Sequence, residues 1–325
     1  MANKVTQDTT PLDSFGLEGR FDFPIPLFKV NSNFSLNSLD TDKFNKALQL
    51  KTEISRILYE KKDKDFSKET KLSFFGNYRE TIWNGSLGER EIVNAYGVKL
   101  DKKNNWVNGK VIKSSEIAFG YGEYIAGSKE DPTRSISRSR LNILLSRNHS
   151  YPIWQQKIDS LIKADNIYSP SIIKNGIFFN VEGRIDLYGY NDYNYQNLIN
   201  FKAGPELTLG NYKNKILDYT KFSFYPKIAY AEGGSPFGFD QATDNHAVEI
   251  SLEQQIIGAL SATISTEYNM DINSPKYKKF FNSRYQLNWN RRAYKVLAFY
   301  NPESKAGGLN FKIYGFDFEG LGNKF

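Results

Sequence analysis

Few side chains in this sequence stand where acid–base or nucleophilic chemistry would need them. Glu249 and Glu253 lie on the polar side of one alternating segment, where they could form a glycosidase-like pair of carboxylates. His149 and His246 are far apart in the sequence, and neither stands in a recognisable pattern with a serine and an aspartate. On the polar side of such a segment, however, carboxylates that face lysine and arginine are more common than catalytic carboxylate pairs. We therefore expect no catalytic residues and a protein that is not an enzyme.

The composition points away from metals, cofactors and nucleic acids. The chain has no cysteine, which excludes disulfides and thiolate ligands, and its two distant histidines do not predict a zinc site. Gly120-Tyr121-Gly122 lies in a strand-like segment without a following helix, so it does not predict nucleotide binding. The formal charge is +7, but lysine and arginine are scattered among acidic residues. We predict no metal site, no cofactor and no nucleic-acid partner.

The strongest pattern is an alternation of apolar and polar side chains over long segments. Residues 179–187, 258–269 and 281–289 all alternate in this way. A period of two is typical of β-strands. Soluble strands usually have about 5–6 residues, whereas a tilted strand that crosses a bilayer needs about 9–11, with an apolar outer side and a polar lumen side. In the third segment, the pattern places Phe281 on the apolar side together with Tyr285, Leu287 and Trp289.

The sequence therefore predicts an all-β fold, an antiparallel transmembrane β-barrel of about 14 strands that could form part of a larger barrel. Segment 47–58 also fits a helical stripe, and the charged segment 60–70 is interpreted as a solvated hairpin loop. Long loops are predicted at 151–175, 233–245 and 271–279. The predicted strands are residues 15–23, 47–58, 72–81, 89–100, 117–126, 138–146, 177–190, 198–209, 219–230, 247–255, 258–269, 281–290, 293–300 and 309–318.

The amino terminus bears on domain organisation. Residues 1–13 contain one lysine and no apolar stretch, so they do not form a secretory signal peptide. We predict that residues 1–13 are a disordered segment and that residues 14–325 form one outer-membrane β-barrel domain. Because an outer-membrane protein needs a signal peptide, we expect this chain to be the carboxy-terminal part of a longer precursor.

One predicted turn carries side chains suited to a lipid headgroup. Trp289 ends an alternating segment and is followed closely by Arg291 and Arg292. Paired guanidinium groups bind phosphate well, and tryptophan is common at membrane interfaces. A headgroup contact is one interpretation of these three residues, and a charged turn at the membrane surface is the other.

One predicted loop is unusually rich in apolar side chains. Pro236, Phe237 and Phe239 lie in the middle of segment 233–245. Such a loop could fold into the barrel lumen or touch a glycolipid, and it could equally pack on itself. Its side chains are our candidates for a lumen loop.

Eight motifs along the chain together resemble a known family. They are in register with a cyanobacterial family of domains of unknown function that is similar to the carboxy-terminal barrel of LptD (OstA-like) lipopolysaccharide-assembly proteins. The resemblance extends from about Ser14 to Phe325. The motifs are Trp83-Asn84-Gly85-Ser86-Leu87-Gly88, Ser150-Tyr151-Pro152-Ile153-Trp154, Gly204-Pro205 with Leu207-Thr208-Leu209-Gly210, Leu217-Asp218-Tyr219-Thr220, Ser235-Pro236-Phe237-Gly238-Phe239-Asp240, Gln254-Gln255-Ile256 with Gly258, Trp289 with Arg291-Arg292-Ala293-Tyr294, and Asp317-Phe318-Glu319-Gly320.

The resemblance implies a function in lipid export. LptD-like barrels lie in the outer membrane, receive lipopolysaccharide from periplasmic bridge proteins, and insert it into the outer leaflet with a plug lipoprotein in the lumen. Lipid leaves sideways through a weakly paired seam in such barrels. Pro24 and Pro26 cannot donate ladder hydrogen bonds, so they are candidates for this seam, although ordinary edge or strand-entry prolines would look the same.

The sequence also departs from the LptD pattern. It lacks the amino-terminal periplasmic domain and the cysteines of the well-known members, and about 14 strands would make a smaller barrel. We expect a non-enzymatic outer-membrane barrel that acts in lipopolysaccharide assembly or transport. The alternatives are a passive diffusion porin and a soluble glycan-binding β-sandwich.

Overall fold

The protein is built from one continuous antiparallel sheet. A computed structural model describes residues 17–36, 48–156, 173, 175–210, 216–291, 294–303 and 305–313. These residues form fifteen strands, which pair in their order along the chain, and one 3-10 turn. The all-β antiparallel prediction is confirmed, with one strand more than the fourteen expected. Since all described strands belong to one sheet, the structure argues against a β-sandwich of two stacked sheets.

The strands differ greatly in length. Those from β4 to β7 have 17 to 21 residues, whereas β14 and β15 have 8 each. The 3-10 turn (Gly85–Leu87) lies between β4 and β5. The strands are β1 (Leu17–Ile25), β2 (Phe28–Leu36), β3 (Leu48–Lys62), β4 (Phe66–Trp83), β5 (Glu89–Asn108), β6 (Val111–Gly127), β7 (Ser135–Gln155), β8 (Gly176–Tyr190), β9 (Tyr195–Gly210), β10 (Tyr219–Gly233), β11 (His246–Ile257), β12 (Leu260–Asn269), β13 (Phe280–Asn290), β14 (Tyr294–Asn301) and β15 (Ala306–Ile313).

The connections differ between the two ends of the sheet, which we call the turn end and the loop end. Five of the seven at the turn end have two or three residues, the exceptions there being residues 156–175 and 211–218, whereas those at the loop end have four to twelve. At the turn end, β5 and β6 are joined across Gly109 and Lys110, and β11 and β12 across Gly258 and Ala259. At the loop end, residues 234–245 join β10 to β11, and residues 270–279 join β12 to β13, where the sequence predicts long loops. The 3-10 turn after β4 contacts β13 at the loop end, which shows that the sheet is strongly curled. No helix among the described residues has the length and apolarity needed to cross a membrane.

The sheet has an apolar outer face and a polar inner face. Ile264 is 45% exposed and lies opposite Leu252 on one side and Tyr285 on the other. Directly opposed residues of antiparallel strands project to the same side. The outer face therefore carries these apolar residues, while the inner face carries buried polar residues such as Ser261 and Asn288. This arrangement confirms the alternation predicted for residues 258–269.

Phe281 departs from the predicted pattern. The register shifts between β12 and β13, so that Phe280 opposes Tyr268 and Phe281 opposes Glu267. Asn282 has a φ of 51°, which lets the backbone accommodate the irregularity. Phe281 is 1% exposed on the inner face, whereas Phe280 is 58% exposed. The prediction that Phe281 shares a face with Trp289 is therefore wrong.

Two further predictions need correction. The sequence analysis missed β2, whose serine and asparagine residues hide its alternation. Segment 60–70, predicted as a loop, lies almost entirely in the ladder, because β3 continues to Lys62 and β4 begins at Phe66. Segment 47–58, which also fitted a helix, belongs to strand β3 from Leu48 onward. Residues 1–16 and the closing motif 317–320 lie outside the described residues.

The register shift at β13 can be tested with two adjacent phenylalanines. Phe281→Ala should lower the free energy of unfolding by about 3–5 kcal/mol, because it removes a fully buried aromatic ring. Phe280→Ala should have a much smaller effect, since that side chain is largely exposed. Chemical unfolding of both variants in the same detergent checks the difference. A larger loss in Phe280→Ala would mean that the register has been assigned incorrectly.

Candidate functional site

Residues 234–245 form an inner loop that folds back over the inner face of the sheet. Its backbone is held to distant strands: Gly238 N donates to Gly127 O at 3.1 Å, and Phe237 forms an isolated bridge with Ser128. The side chain of Asn84, at the end of β4, donates to the carbonyl oxygens of Gly238 at 2.8 Å and Gln241 at 2.9 Å. The loop is therefore anchored across the space enclosed by the sheet.

Aromatic packing fixes the middle of the inner loop. Phe237 is fully buried, and its ring centroid lies 5.2 Å from Phe239, 6.2 Å from Tyr124 and 6.0 Å from Tyr190. Gly122 on β6 leaves room for this cluster, because a Cβ there would lie 3.0 Å from the Phe75 ring and 2.7 Å from a backbone oxygen. The apolar loop side chains thus continue the small hydrophobic core on the inner face.

A buried charge pair holds the next part of the inner loop. The Arg140 guanidinium on β7 donates to Asp240 at 2.7 Å and to the Tyr124 hydroxyl at 2.9 Å, and Tyr190 donates to Asp240 at 3.0 Å. Arg140 also lies 4.3 Å above the centre of the Tyr124 ring. The two charged side chains are only 15% and 8% exposed. A buried charge that loses its partner is strongly destabilising, so this pair ties the loop to the barrel wall.

The carboxylate of Asp244 joins three connections at the loop end. It accepts hydrogen bonds from the backbone of Ser86 at 2.6 Å, from Asn269 at 2.5 Å and from Ser274 at 2.6 Å. Gln196 on β9 grips the loop from the other side, donating to Asp240 O at 2.7 Å and accepting from Ala242 N at 2.8 Å. These bonds connect the inner loop to β9, to the β4–β5 turn and to the β12–β13 loop.

A polar cavity of about 330 Å³ lies beneath the inner loop. The ion pairs on its wall join Arg184 to Asp186 at 2.7 Å and Lys202 to Glu249 at 3.0 Å. Glu249 therefore faces a lysine. A second cavity of about 340 Å³ lies nearer the turn end and is lined largely by amide and hydroxyl side chains. The inner face thus encloses polar space lined by charges of both signs.

The structure places the candidate loop and headgroup residues differently. Pro236 and the two phenylalanines that follow it lie in the inner loop, on the inner face, and their contact with a glycolipid stays a prediction. Trp289 lies on the outer face near the turn end, with Arg291 5.1 Å above its ring. Arg292 lies outside the described residues. A role of Trp289 and Arg291 at a headgroup also stays a prediction.

The two seam candidates occupy unlike positions. Pro24 opposes Lys29 in the β1–β2 ladder, whereas Pro26 lies with Leu27 in the two-residue turn between the strands. Pro26 therefore withholds no hydrogen bond from the β1–β2 ladder, and a role of either proline at a seam stays a prediction. The turn closes on a hydrogen-bonded pair, and such pairs alternate along an antiparallel ladder. The nitrogen of Pro24 therefore points to the edge of β1 that faces away from β2.

The two histidines lie on different strands of the sheet. His149 lies on the outer face, where its ring nitrogens contact Arg147 at 2.8 Å and Tyr151 at 3.0 Å. His246 begins β11. Within the described ranges, no group of three histidine, aspartate or glutamate side chains is placed to hold a metal ion.

Arg140 and Asp240 form the central pair of the site, but Arg140 was not predicted from the sequence and Asp240 was named only as part of a motif. They are 100 residues apart, and Arg140 looks like any polar residue in an alternating strand. The only signal was the apolar segment that precedes Asp240, which indicated that this loop would bury aromatic side chains.

The charge pair predicts how the inner loop can be released. In Asp240→Ala, Arg140 keeps its burial but loses its carboxylate, which should cost about 3–5 kcal/mol. We expect residues 234–245 to exchange their amide hydrogens faster, as measured by mass spectrometry. Asp63→Ala, which removes a carboxylate at the exposed turn end, is the matched control. Unchanged exchange in Asp240→Ala would show that the pair does not hold the loop.

Comparison with solved structures supports the barrel interpretation of the curled sheet. The fold is similar to that of CdiB from Acinetobacter baumannii, an outer-membrane β-barrel, with a TM-score of 0.50 and 12% sequence identity. The match covers 92% of this chain and 56% of the CdiB chain. At this identity the likeness concerns the fold alone. No curated protein matches this sequence.

Comparison with family models is more direct. The model described as "Protein of unknown function (DUF3769)" matches residues 1–317, nearly the whole chain. This is in keeping with the resemblance to a domain family of unknown function, while no comparison points to LptD itself. Because this model covers nearly the whole sequence, the chain belongs to the DUF3769 family.

Proposed function

We propose that this chain lies in the outer membrane and takes part in lipopolysaccharide assembly, as a barrel that helps deliver the lipid to the outer leaflet. The observation that carries the proposal is the division of one long sheet into an apolar outer face and a polar inner face that the inner loop crosses. The motifs that resemble those of LptD-like barrels are the reason for naming lipopolysaccharide as the lipid. We propose no enzymatic step.

The outer face supports the membrane location. Large apolar side chains are exposed on neighbouring strands, among them Tyr96, Phe119 and Ile199, each at least half exposed. Such a continuous apolar surface is rare on a soluble monomer, but it matches the apolar band of an outer-membrane barrel. The inner face, by contrast, carries the ion pairs and polar cavities. This is the distribution that a bilayer outside and water inside would select.

The inner loop and the sheet edges support a lipid-handling barrel. The loop obstructs the loop end of the inner space, which is unfavourable for a wide passive channel. Among the described residues, β1 pairs only with β2 and β15 only with β14. A strand that pairs with the open edge of β1 would find no donor at Pro24. We propose that lipid leaves beside this edge, and that periplasmic bridge proteins and a plug lipoprotein act from the turn end.

A diffusion porin is the second candidate. The polar cavities and mixed charges of the inner face would suit a water-filled passage, with the inner loop as its constriction. The two proposals differ in what the loop does: it would set solute flux in a porin, but not in a lipid-assembly barrel.

The membrane location can be tested on one strand. Ile264→Arg should destabilise the barrel by about 2–4 kcal/mol if this outer-face site lies near the bilayer midplane. Thr263→Arg is the matched control, because its neighbour on the inner face is Glu253, which can pair with the new charge. Both variants should be refolded into liposomes, and the folded fraction read from the gel mobility of unheated samples. Equal losses in the two variants would reject the lipid-facing assignment.

The lipid role can be tested by depleting the protein in its native cell. We expect less lipopolysaccharide at the surface, with its accumulation in the inner membrane and unchanged uptake of small solutes. Complementation with wild type should restore the surface lipid. The Asp240→Ala variant then separates the candidates: a porin should show raised solute uptake when its constriction loosens. Normal surface lipopolysaccharide with lowered solute uptake after depletion would reject lipid assembly and favour the porin.

A further inference from the structure

The charges on the two faces of the long strands are organised differently. On the inner face of β3 to β6, cations pair with carboxylates: Lys71 with Glu53 at 2.7 Å, Lys99 with Asp101 at 2.6 Å, and Lys103 with Glu116 at 3.4 Å. The outer face at the turn end also carries cations. Lys61 on β3, which opposes Lys68, lies 3.8 Å from Asp63, whereas the outer cations of β4 to β7 at this end form no ion pair among the described residues.

These outer cations form a compact group, which we call the outer basic patch. Its members are Lys68 on β4, Lys102 on β5, Lys113 on β6 and Arg147 on β7, and the neutral His149 ring lies among them, accepting from Arg147 Nε at 2.8 Å. The ladder brings them together, because Lys113 directly opposes His149, and Lys68 and Arg147 belong to one row of opposed residues through Asn104 and Ser115. In the part of the chain that the structure describes, none of these four cations forms an ion pair with a carboxylate.

The patch directly follows the apolar band of the outer face. Leu100, Ile117 and Leu145 are exposed apolar residues, and the next outer positions toward the turn end are Lys102, Ser115 and Arg147. On β9 the same rows carry Phe201 and Ala203. The patch therefore lies at the border of the apolar band on β4 to β7, which are the longest described strands.

Aromatic side chains accompany the cations. Trp106 opposes Lys113, and the Arg147 guanidinium lies 5.9 Å from the Trp106 ring centroid. Tyr151 contacts His149 at 3.0 Å. Tryptophan and tyrosine beside lysine and arginine are typical of the zone where a bilayer meets water.

We propose that the outer basic patch binds the phosphate headgroups of anionic phospholipids in the leaflet at the turn end. In outer-membrane barrels the short turns face the periplasm, and five of the seven connections at this end have two or three residues, so we assign this end to the inner leaflet. Unpaired cations next to an apolar band complement a headgroup whose acyl chains lie against that band. The inference rests on the membrane location proposed above, but not on a role in lipopolysaccharide assembly.

The test compares two charge-neutralised variants of the full chain in detergent micelles. Lys113→Gln with Arg147→Gln removes two charges from the patch. Lys129→Gln with Arg134→Gln removes one lysine and one arginine from the exposed β6–β7 loop at the opposite end. Each protein is titrated with phosphatidylglycerol and with phosphatidylcholine, and the bound lipid is measured by native mass spectrometry.

We expect wild type to prefer phosphatidylglycerol, and its binding to weaken as salt is raised. The patch variant should bind this lipid roughly 10- to 30-fold more weakly, while the loop variant behaves as wild type. Lys113→Arg with Arg147→Lys keeps the charge and should also bind as wild type. Equal binding of the two lipids, or equal losses in the patch and loop variants, would overturn the proposal. A wild type that folds without detergent or lipid would instead overturn the membrane location itself.

Discussion

The structure depends on the requirement that the backbone N–H and C=O groups of each strand find partners in the neighbouring strands. A chain with so many exposed apolar side chains has to meet this need within the sheet wherever water is excluded. Sequential antiparallel pairing does so from β1 to β15, and it leaves open only the two outer edges. Pro24 withdraws a donor from one of them, which also makes that edge a poor template for unwanted pairing.

The same ladder determines where the side chains go. Because residues alternate between faces, a shift of one residue moves every later side chain to the other side. The register shift between Phe281 and Arg284 in β13 is a local example of this rule. Phe281 points inward at the loop end, whereas Tyr285 and Leu287, beyond the shift, lie on the outer face. Inner-face charges then find partners on the next strand, as Lys202 and Glu182 do, or one strand further, as Lys202 and Glu249 do. The inner loop adds its own buried pair to this network.

Much of the fold could be predicted from the sequence, because period-two alternation is a local signal. The faces of β12 were predicted in full, whereas β2 was missed because serine and asparagine occupy too many of its positions. The turn end of β3 and β4 was taken for a loop because both faces of that region carry charge. The site could be predicted only in outline: the aromatic loop was noticed, but Arg140 was not. A contact across 100 residues of a curled sheet leaves no trace in local spacing.

The inner loop also bears on the order in which the protein assembles. Each strand pairs only with its neighbours along the chain, so hairpins can form one after another with little loop-closure entropy. The inner loop is the exception, since Asn84 meets Gly238 across 154 residues of sequence. It can dock only when the wall from β4 to β12 already stands. Its docking therefore belongs to the last stage of folding. A chain with a docked inner loop is one in which the curled sheet from β4 to β12 has already formed.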